Sequence, residues 1–155
     1  MITISDGVSA GEREDESGAL LVQLLEEEQF EVEHRVVPDE RPKIAAALRE
    51  LAQHARVILT TGGTGVSPRD FTPEATASVL DRLVPGIAEA LRADAIRKTP
   101  HGLLGRGVAG IRGRTLIVNL PGSPGGCRDG FALLKPALRH AVELIGGEYS
   151  EHVPT

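Results

Sequence analysis

The sequence predicts an α/β fold with three α/β/α layers, in which a mostly parallel sheet carries an antiparallel edge hairpin. Strand-like runs alternate with amphipathic helical segments along the first half of the chain, an order typical of a parallel sheet covered by helices. The run 57–60 is short and largely apolar, as in strands that are buried on both faces. Two further runs, 108–111 and 115–118, flank a linker short enough for a hairpin. At 155 residues the chain fits a single domain, residues 1–155.

The first half of the chain predicts successive β-α units. A stripe of leucines at helical spacing indicates a helix over residues 17–29. Apolar and charged residues alternate over residues 30–37, which indicates a half-exposed strand. The remaining predicted elements are a strand at 2–5, a loop at 6–15, a helix over 42–54 and the strand at 57–60.

The second half predicts three further helices around the hairpin. Thr72 as N-cap and Pro73 at the first helical position predict a helix from 72 to about 83. Pro85 then restarts the chain into a second amphipathic helix over 87–96. The hairpin is followed by a tight loop at 119–124 and a final helix over 131–145.

A glycine-rich loop after the strand at 57–60 is the most informative segment. Gly62, Gly63 and Gly65 let the backbone N–H groups approach a ligand closely, and Asp70 follows just before a helix. The hydroxyls of Thr61, Thr64 and Ser67 are expected to donate to phosphate oxygens. The spacing matches neither the Walker loop nor the dinucleotide fingerprint, so a phosphate cradle and a plain tight turn both remain open.

Three loops follow predicted strands, and parallel strands bring such loops to one edge of the sheet. The first contains Ser5 and Asp6, the second is the glycine loop, and the third runs from Asn119 to Ser123. Turn chemistry alone would also explain these residue types. The candidate ligand-binding residues are Ser5, Asp6, Gly62, Gly63, Thr64, Gly65, Ser67, Asn119, Pro121, Gly122 and Ser123.

Composition excludes several other classes of protein. The net charge of −5 argues against non-specific nucleic-acid binding, and no apolar run approaches the length that spans a membrane. The single cysteine, Cys127, cannot form an intramolecular disulfide, which favours a cytoplasmic location. The five histidines have no metal-binding spacing and are interpreted as surface or packing residues: His34, His54, His101, His140 and His152.

Collinear motifs along nearly the whole chain resemble the molybdopterin adenylyltransferase family, the MoaB/Mog-like domain also found in gephyrin-like proteins. Each motif is weak alone, but the ordered set is specific. The motifs are Ser5-Asp6, Asp15-x-Ser17-Gly18, Val37-Pro38-Asp39-Glu40, Thr61-Gly-Gly-Thr-Gly65, Pro68-Arg-Asp70, Thr72-Pro-Glu-Ala-Thr76, Ala109-Gly110-x-Arg112 and Asn119-Leu-Pro-Gly-Ser-Pro124.

The resemblance implies a reaction in which the terminal phosphate of molybdopterin attacks the α-phosphate of Mg-ATP, releasing pyrophosphate. It assigns Asp39 and Asp70 as catalytic acids that hold Mg²⁺ or fix the substrates, and Glu74 lies where it could also reach the metal. For each of these acids, a plain role at a helix N-terminus is the alternative. The family also implies a homotrimer and hand-off of the product to a molybdenum-insertion protein.

One departure from the family pattern and two other functions stay open. Gly105 occupies a position where many members have a serine that helps to hold the pterin. The first alternative is a non-catalytic molybdopterin carrier or oligomerisation module. The second is a nucleotide-processing domain like that of the competence-damage-inducible proteins, although this chain shows no second domain of the usual kind.

Overall fold

A six-stranded mixed sheet forms the centre of the computed structural model, which describes residues 1–147. The strands are β1 (Ile2–Ile4), β2 (Arg35–Val37), β3 (Val57–Thr61), β4 (Arg82–Leu83), β5 (Ala109–Arg112) and β6 (Thr115–Leu120). Their order is β2-β1-β3-β6-β5-β4, in which β1, β2, β3 and β6 are parallel, while β5 pairs antiparallel with β6 and with the edge strand β4.

Six α-helices and one 3-10 helix accompany these strands within the described residues. The helices are α1 (Asp6–Ser9), α2 (Glu16–Glu27), α3 (Arg41–Leu51), α4 (Thr72–Ala77), α5 (Pro85–Lys98) and α6 (Pro124–Gly146), with the 3-10 helix at Pro100–Leu104. Helices α2 and α6 pack against one another beside the sheet, and α3 packs against α4.

Side chains that alternate along the strands build two separate cores, which confirms the three predicted layers. Ile2, Ile58 and Ile117 are fully buried in the core that contains helix α3 residues. Their neighbours Leu59 and Leu116 point to the other face, into the core formed with α2 and α6. Because successive strand residues face opposite sides, each central strand supplies both cores at once.

Two segments near the start of the chain differ from the sequence prediction. Residues 6–9, predicted as loop, form one helical turn because the Ser5 hydroxyl accepts a hydrogen bond from the Val8 N–H. The strand predicted over 30–37 is confined to β2. The first residue of β1, Ile2, pairs with Arg35, so residues 30–34 have no residue of β1 opposite them.

The helix predicted from 72 to about 83 ends at Ala77, and a strand that the sequence did not predict follows it. The Asp81 N–H donates to the Ile111 carbonyl at 2.8 Å, and Arg82 then pairs with Ile111. Pairing with strand β5 therefore outweighs the helix propensity of residues 81–83. Thr72, predicted as the N-cap, lies inside the helix after Phe71.

The final helix begins seven residues earlier than the predicted start at 131. Ser123 is its N-cap and accepts a hydrogen bond from the Gly126 N–H, while Pro124 opens the first turn. The hairpin of β5 and β6 confirms the predicted antiparallel edge. No helix within residues 1–147 is long and apolar enough to cross a membrane. His152 lies outside the described residues.

A side chain at Gly110 tests the unexpected edge strand. A Cβ there would lie 2.5 Å from Leu80 Cδ1 and 2.6 Å from the Arg82 carbonyl oxygen. We expect Gly110→Ala to lower the free energy of unfolding by about 1–3 kcal/mol, since β4 must move away. Chemical denaturation measures the change. Gly86→Ala is the control, because a Cβ at Gly86 meets no atom within 4 Å. An equal effect of both variants would contradict the described edge.

Candidate functional site

Two cavities open at the carboxyl edge of the parallel strands, where the sequence predicts the site. The larger has a volume of about 670 Å³ and the smaller about 630 Å³. Gly63, Asp70 and Gly122 line both, so the cavities meet at the glycine loop and the loop after β6. The arrangement suits two ligands whose reactive ends meet at a shared wall.

The predicted site residues divide between these cavities. The larger cavity is lined by Gly63, Thr64, Gly65, Asp70, Asn119, Pro121, Gly122 and Ser123, together with Gly105. The smaller cavity is lined by Ser5, Asp39, Gly62, Gly63, Asp70 and Gly122. Among the described residues that line either cavity, Asp6, Ser67 and Glu74 do not occur.

The glycine loop has its shape because the chain passes directly over the end of β1. Gly62 and Gly63 have φ of +99° and +64°, the left-handed region that favours glycine. A Cβ on Gly62 would lie 2.1 Å from the Ile4 carbonyl oxygen. The Thr72 hydroxyl donates to the Gly62 carbonyl at 2.8 Å, so this threonine holds the loop rather than capping the helix.

Arg106 fastens the far half of the glycine loop. Its Nε donates to the Gly65 carbonyl at 2.6 Å and its Nη2 to the Asp70 carbonyl at 2.7 Å. The Arg106 N–H also donates to the Thr64 carbonyl at 2.9 Å, and Nη1 pairs with Glu74. This ion pair lowers the pKa of Glu74. The carboxylate of Glu74, a candidate metal ligand, is therefore engaged in an ion pair with Arg106.

A reciprocal pair of hydrogen bonds joins the loops after β1 and β2. The Asp6 N–H donates to Asp39 Oδ2 at 2.9 Å, and the Asp39 N–H donates to Asp6 Oδ1 at 3.0 Å. Arg69 grips the Asp6 carboxylate with Nε at 2.6 Å and Nη2 at 3.1 Å. Hydrogen bonding to Arg69 lowers the pKa of Asp6. Asp6 thus positions Asp39 and has its own charge compensated.

Among the described residues, Asp39 and Asp70 differ from Asp6 and Glu74 in that no arginine side chain pairs with their carboxylates. Asp39 Oδ2 is used by Asp6, and Asp70 Oδ2 accepts the Ser67 N–H at 2.9 Å. Within residues 1–147 the second oxygen of each carboxylate has no hydrogen-bond partner. Burial, with the negative charges of Asp6 and Asp70, raises the pKa of Asp39.

This donor set fits a magnesium ion held jointly with phosphates. Carboxylate oxygens are the ligands that Mg²⁺ prefers, and the ion commonly takes one or two of them beside phosphate oxygens and water. Residues 1–147 contain no group of three or more His, Cys, Asp and Glu side chains that could hold a metal. Asp39 and Asp70 would therefore need substrate oxygens to complete the coordination shell.

Two residues predicted from the sequence direct their side-chain hydrogen bonds into the protein rather than toward a ligand. The buried Asn119 amide donates to Thr60 Oγ1 and Thr76 Oγ1, each at 3.0 Å, and accepts the Val108 N–H. Asn119 therefore supports the wall of the larger cavity through hydrogen bonds inside the protein. The Thr61 hydroxyl, expected to reach phosphate, instead donates to the Pro121 carbonyl at 2.6 Å.

Sequence reasoning missed Arg106, which contacts more of the glycine loop than any predicted side chain. Its neighbour Gly105 departs from the family pattern, but an arginine between Gly105 and Gly107 carries no local signal of its partners. Those partners lie 32 to 41 residues away along the chain. Only the fold brings them together.

The fold and site define a class of α/β domain that has a glycine loop and two adjoining cavities at the carboxyl edge of its parallel strands. Residues 1–140 match the family described as "Probable molybdopterin binding domain". The chain belongs to this molybdopterin-binding family.

Individual relatives agree with this membership. The chain is 36% identical over 156 residues to the molybdopterin adenylyltransferase of Helicobacter pylori strain J99, covering 97% of this chain and 89% of the relative. It is 42% identical over 154 residues to the molybdenum cofactor synthesis protein cinnamon of Drosophila melanogaster, with 97% of this chain matched but only 26% of that longer protein. The structure of the molybdopterin biosynthesis enzyme MoaB from Thermus thermophilus matches with a TM-score of 0.87 and 50% identity, covering 94% of each chain.

Replacing Arg106 by lysine tests its hold on the glycine loop. Lysine keeps the charge but lacks the planar fork that reaches Gly65, Asp70 and Glu74 together. We expect Arg106→Lys to lower the free energy of unfolding by about 1–3 kcal/mol and to speed amide hydrogen exchange across residues 62–70.

The control is Arg97→Lys, at an exposed ion pair with Asp94. We expect this variant to stay within about 0.5 kcal/mol of the wild type. Unchanged exchange across the glycine loop in Arg106→Lys would show that the loop holds its shape without the guanidinium.

Proposed function

We propose that the protein is a molybdopterin adenylyltransferase of molybdenum cofactor biosynthesis that uses Mg-ATP and releases pyrophosphate. The observation that carries this proposal is the position of Asp70. Its carboxylate lies on the wall shared by two cavities, beside the glycine loop and near the negative charge of Asp39. A two-substrate phosphate transfer needs such a meeting point.

The reaction joins two phosphates that repel each other, so alignment and charge compensation provide most of the catalysis. An oxygen of the terminal phosphate of molybdopterin attacks the α-phosphorus of ATP. The bond from that phosphorus to the α–β bridging oxygen breaks, and pyrophosphate leaves with the electron pair. One substrate in each cavity would bring these phosphates to the wall formed by Gly63, Asp70 and Gly122.

The chain's own groups supply distinct parts of this alignment. Asp39 and Asp70 would hold Mg²⁺, which compensates phosphate charge when bound. The Asp6–Arg69 pair keeps Asp39 oriented, and Arg106 keeps the loop carbonyls turned away from the phosphates. Backbone N–H groups of the glycine loop are left to face the ligand.

A turnover assay tests the proposal directly. Purified protein is incubated with molybdopterin, ATP and Mg²⁺, and both pyrophosphate and adenylylated pterin are measured. Product that requires all three components would establish the adenylyltransferase. Tight pterin binding without product would instead show a carrier. We further propose a homotrimer that hands its product to a molybdenum-insertion protein, and a monomer in sedimentation would contradict the first of these.

Asp70→Asn separates the charge of Asp70 from its structural role. An asparagine oxygen can still accept the Ser67 N–H, so the loop should keep its fold. We expect adenylyl transfer to fall about 10²-fold or more, because a ligand of the metal and a charge at the shared wall are lost. Steady-state kinetics across a magnesium titration measure the effect. Full activity at wild-type magnesium concentrations would end the catalytic assignment.

Gly105→Ser tests the departure from the family pattern. A Cβ at Gly105 would lie 3.4 Å from the Gly102 carbonyl oxygen, an ordinary contact, and the residue lines the larger cavity. We expect the variant to fold normally and to bind molybdopterin about 3- to 10-fold more tightly, as one added hydrogen bond would. Equilibrium binding measures the change. Weaker binding would show that the glycine leaves room that the pterin needs.

A further inference from the structure

A buried clamp lies under the loop that follows β6. The Pro121 carbonyl oxygen accepts hydrogen bonds from the Thr61 hydroxyl at 2.6 Å and from the Cys127 thiol at 3.1 Å. Thr61 Oγ1 and Cys127 Sγ are 3.2 Å apart, and both side chains are buried. The loop residue is exposed, whereas the two groups that hold its carbonyl are inside the protein.

The thiol stays protonated, so it serves as a donor in this clamp. Burial raises the pKa of Cys127 to about 11. A thiolate here would repel the Pro121 carbonyl, whereas the thiol can donate to it or to the Thr61 hydroxyl. In either arrangement the Pro121 oxygen is drawn into the core.

The clamp fixes the direction of the next N–H group. In a planar trans peptide the carbonyl and the following N–H point to opposite sides. Because the Pro121 carbonyl points into the core, the Gly122 N–H points outward, on the wall that lines both cavities. Within the described part of the chain this N–H donates no hydrogen bond.

The surroundings leave that donor open to a ligand. A Cβ on Gly122 would lie 3.3 Å from Gly62 Cα, so the two loops meet through glycines with no side chain between them. Gly63 and Asp70 share the same wall. An unpaired N–H fixed in place at this point can stabilise negative charge without reorganising as that charge develops.

We propose that the Gly122 N–H is a phosphate donor at the transfer site, and that Thr61 and Cys127 are positioning residues that aim it. The identity of the transferred group rests on the proposed function, whereas anion binding by the Gly122 N–H does not. A phosphate oxygen at the junction of the two cavities is the ligand chemistry that this donor recognises.

Thr61→Val removes the main donor to Pro121 with little change of shape. We expect kcat to fall at least about 10-fold while KM for both substrates changes less than about 3-fold, because the donor acts on charge that grows during transfer. Thr61→Ser keeps the hydroxyl and should recover most of kcat. A wild-type kcat in Thr61→Val would overturn the positioning role.

Thr115→Val is the matched control. Thr115 is also buried, and its hydroxyl donates to the Ala55 carbonyl at 2.6 Å, but it begins β6 at the opposite edge of the sheet. It should lose stability comparable to Thr61→Val, measured by chemical denaturation, and keep the wild-type kcat. An equal loss of kcat in both variants would show a general effect of stability and overturn the clamp.

A second measurement does not depend on turnover. Inorganic pyrophosphate with Mg²⁺ is titrated into ¹⁵N-labelled protein, and the Gly122 amide resonance is followed. We expect its proton to shift downfield in the wild type and in Thr61→Ser, and to shift at most half as far in Thr61→Val.

The two measurements separate the inference from the proposed function. A pyrophosphate-dependent Gly122 shift without adenylyl transfer would support the donor and remove the proposed reaction. Adenylyl transfer with an unmoved Gly122 amide, at saturating pyrophosphate, would support the reaction and overturn the donor.

Discussion

The close passage of the glycine loop over the end of β1 is the constraint on which the site depends. A Cβ on Gly62 would lie 2.1 Å from the Ile4 carbonyl oxygen, so only glycine can occupy the position where the loop passes over β1. This crossing brings the loop after β3 within reach of the loops after β1 and β6. The two cavities exist because these loops touch through backbone atoms rather than through side chains.

The acids around this crossing fall into two electrostatic groups. Asp6 is held by Arg69 and Glu74 by Arg106, so their charges serve to organise the loops. Among the described residues, no cation forms an ion pair of this kind with Asp39 or Asp70, and the raised pKa of Asp39 reflects burial and the neighbouring negative charge. Of these four acids, Asp39 and Asp70 are therefore the two without an ion pair among the described residues, which is the arrangement expected where a cation is to be recruited.

Local sequence signals predicted the parts of the structure that depend on local physics. The leucine stripe of α2, the buried strand β3, the hairpin and the glycine loop all follow from periodicity or from backbone requirements of short segments. Strand β4 could not be predicted, because two residues, Arg82 and Leu83, pair with Gly110 and Ile111 far along the chain. The roles of Arg106 and Thr61 are likewise set by partners that only the fold supplies. The sequence predicts too late a start for helix α6, because Gly125 and Gly126 have low helix propensity, although the Ser123 cap stabilises this first turn.

The inward orientation of Cys127 has a consequence for the compatibility of the protein with a sulfur-bearing substrate. Molybdopterin carries a dithiolene, whose two sulfurs exchange with disulfides and capture soft metal ions. Gly126 and Gly130, on either side of Cys127 along α6, line the larger cavity, yet the thiol itself is sealed in the core with a pKa of about 11. The only thiol in the chain, that of Cys127, is thus unreactive toward the dithiolene sulfurs of a bound molybdopterin. The domain can hold a redox-active sulfur ligand without offering it a thiol for a mixed disulfide. It also offers no thiolate that would compete with the dithiolene for a soft metal ion.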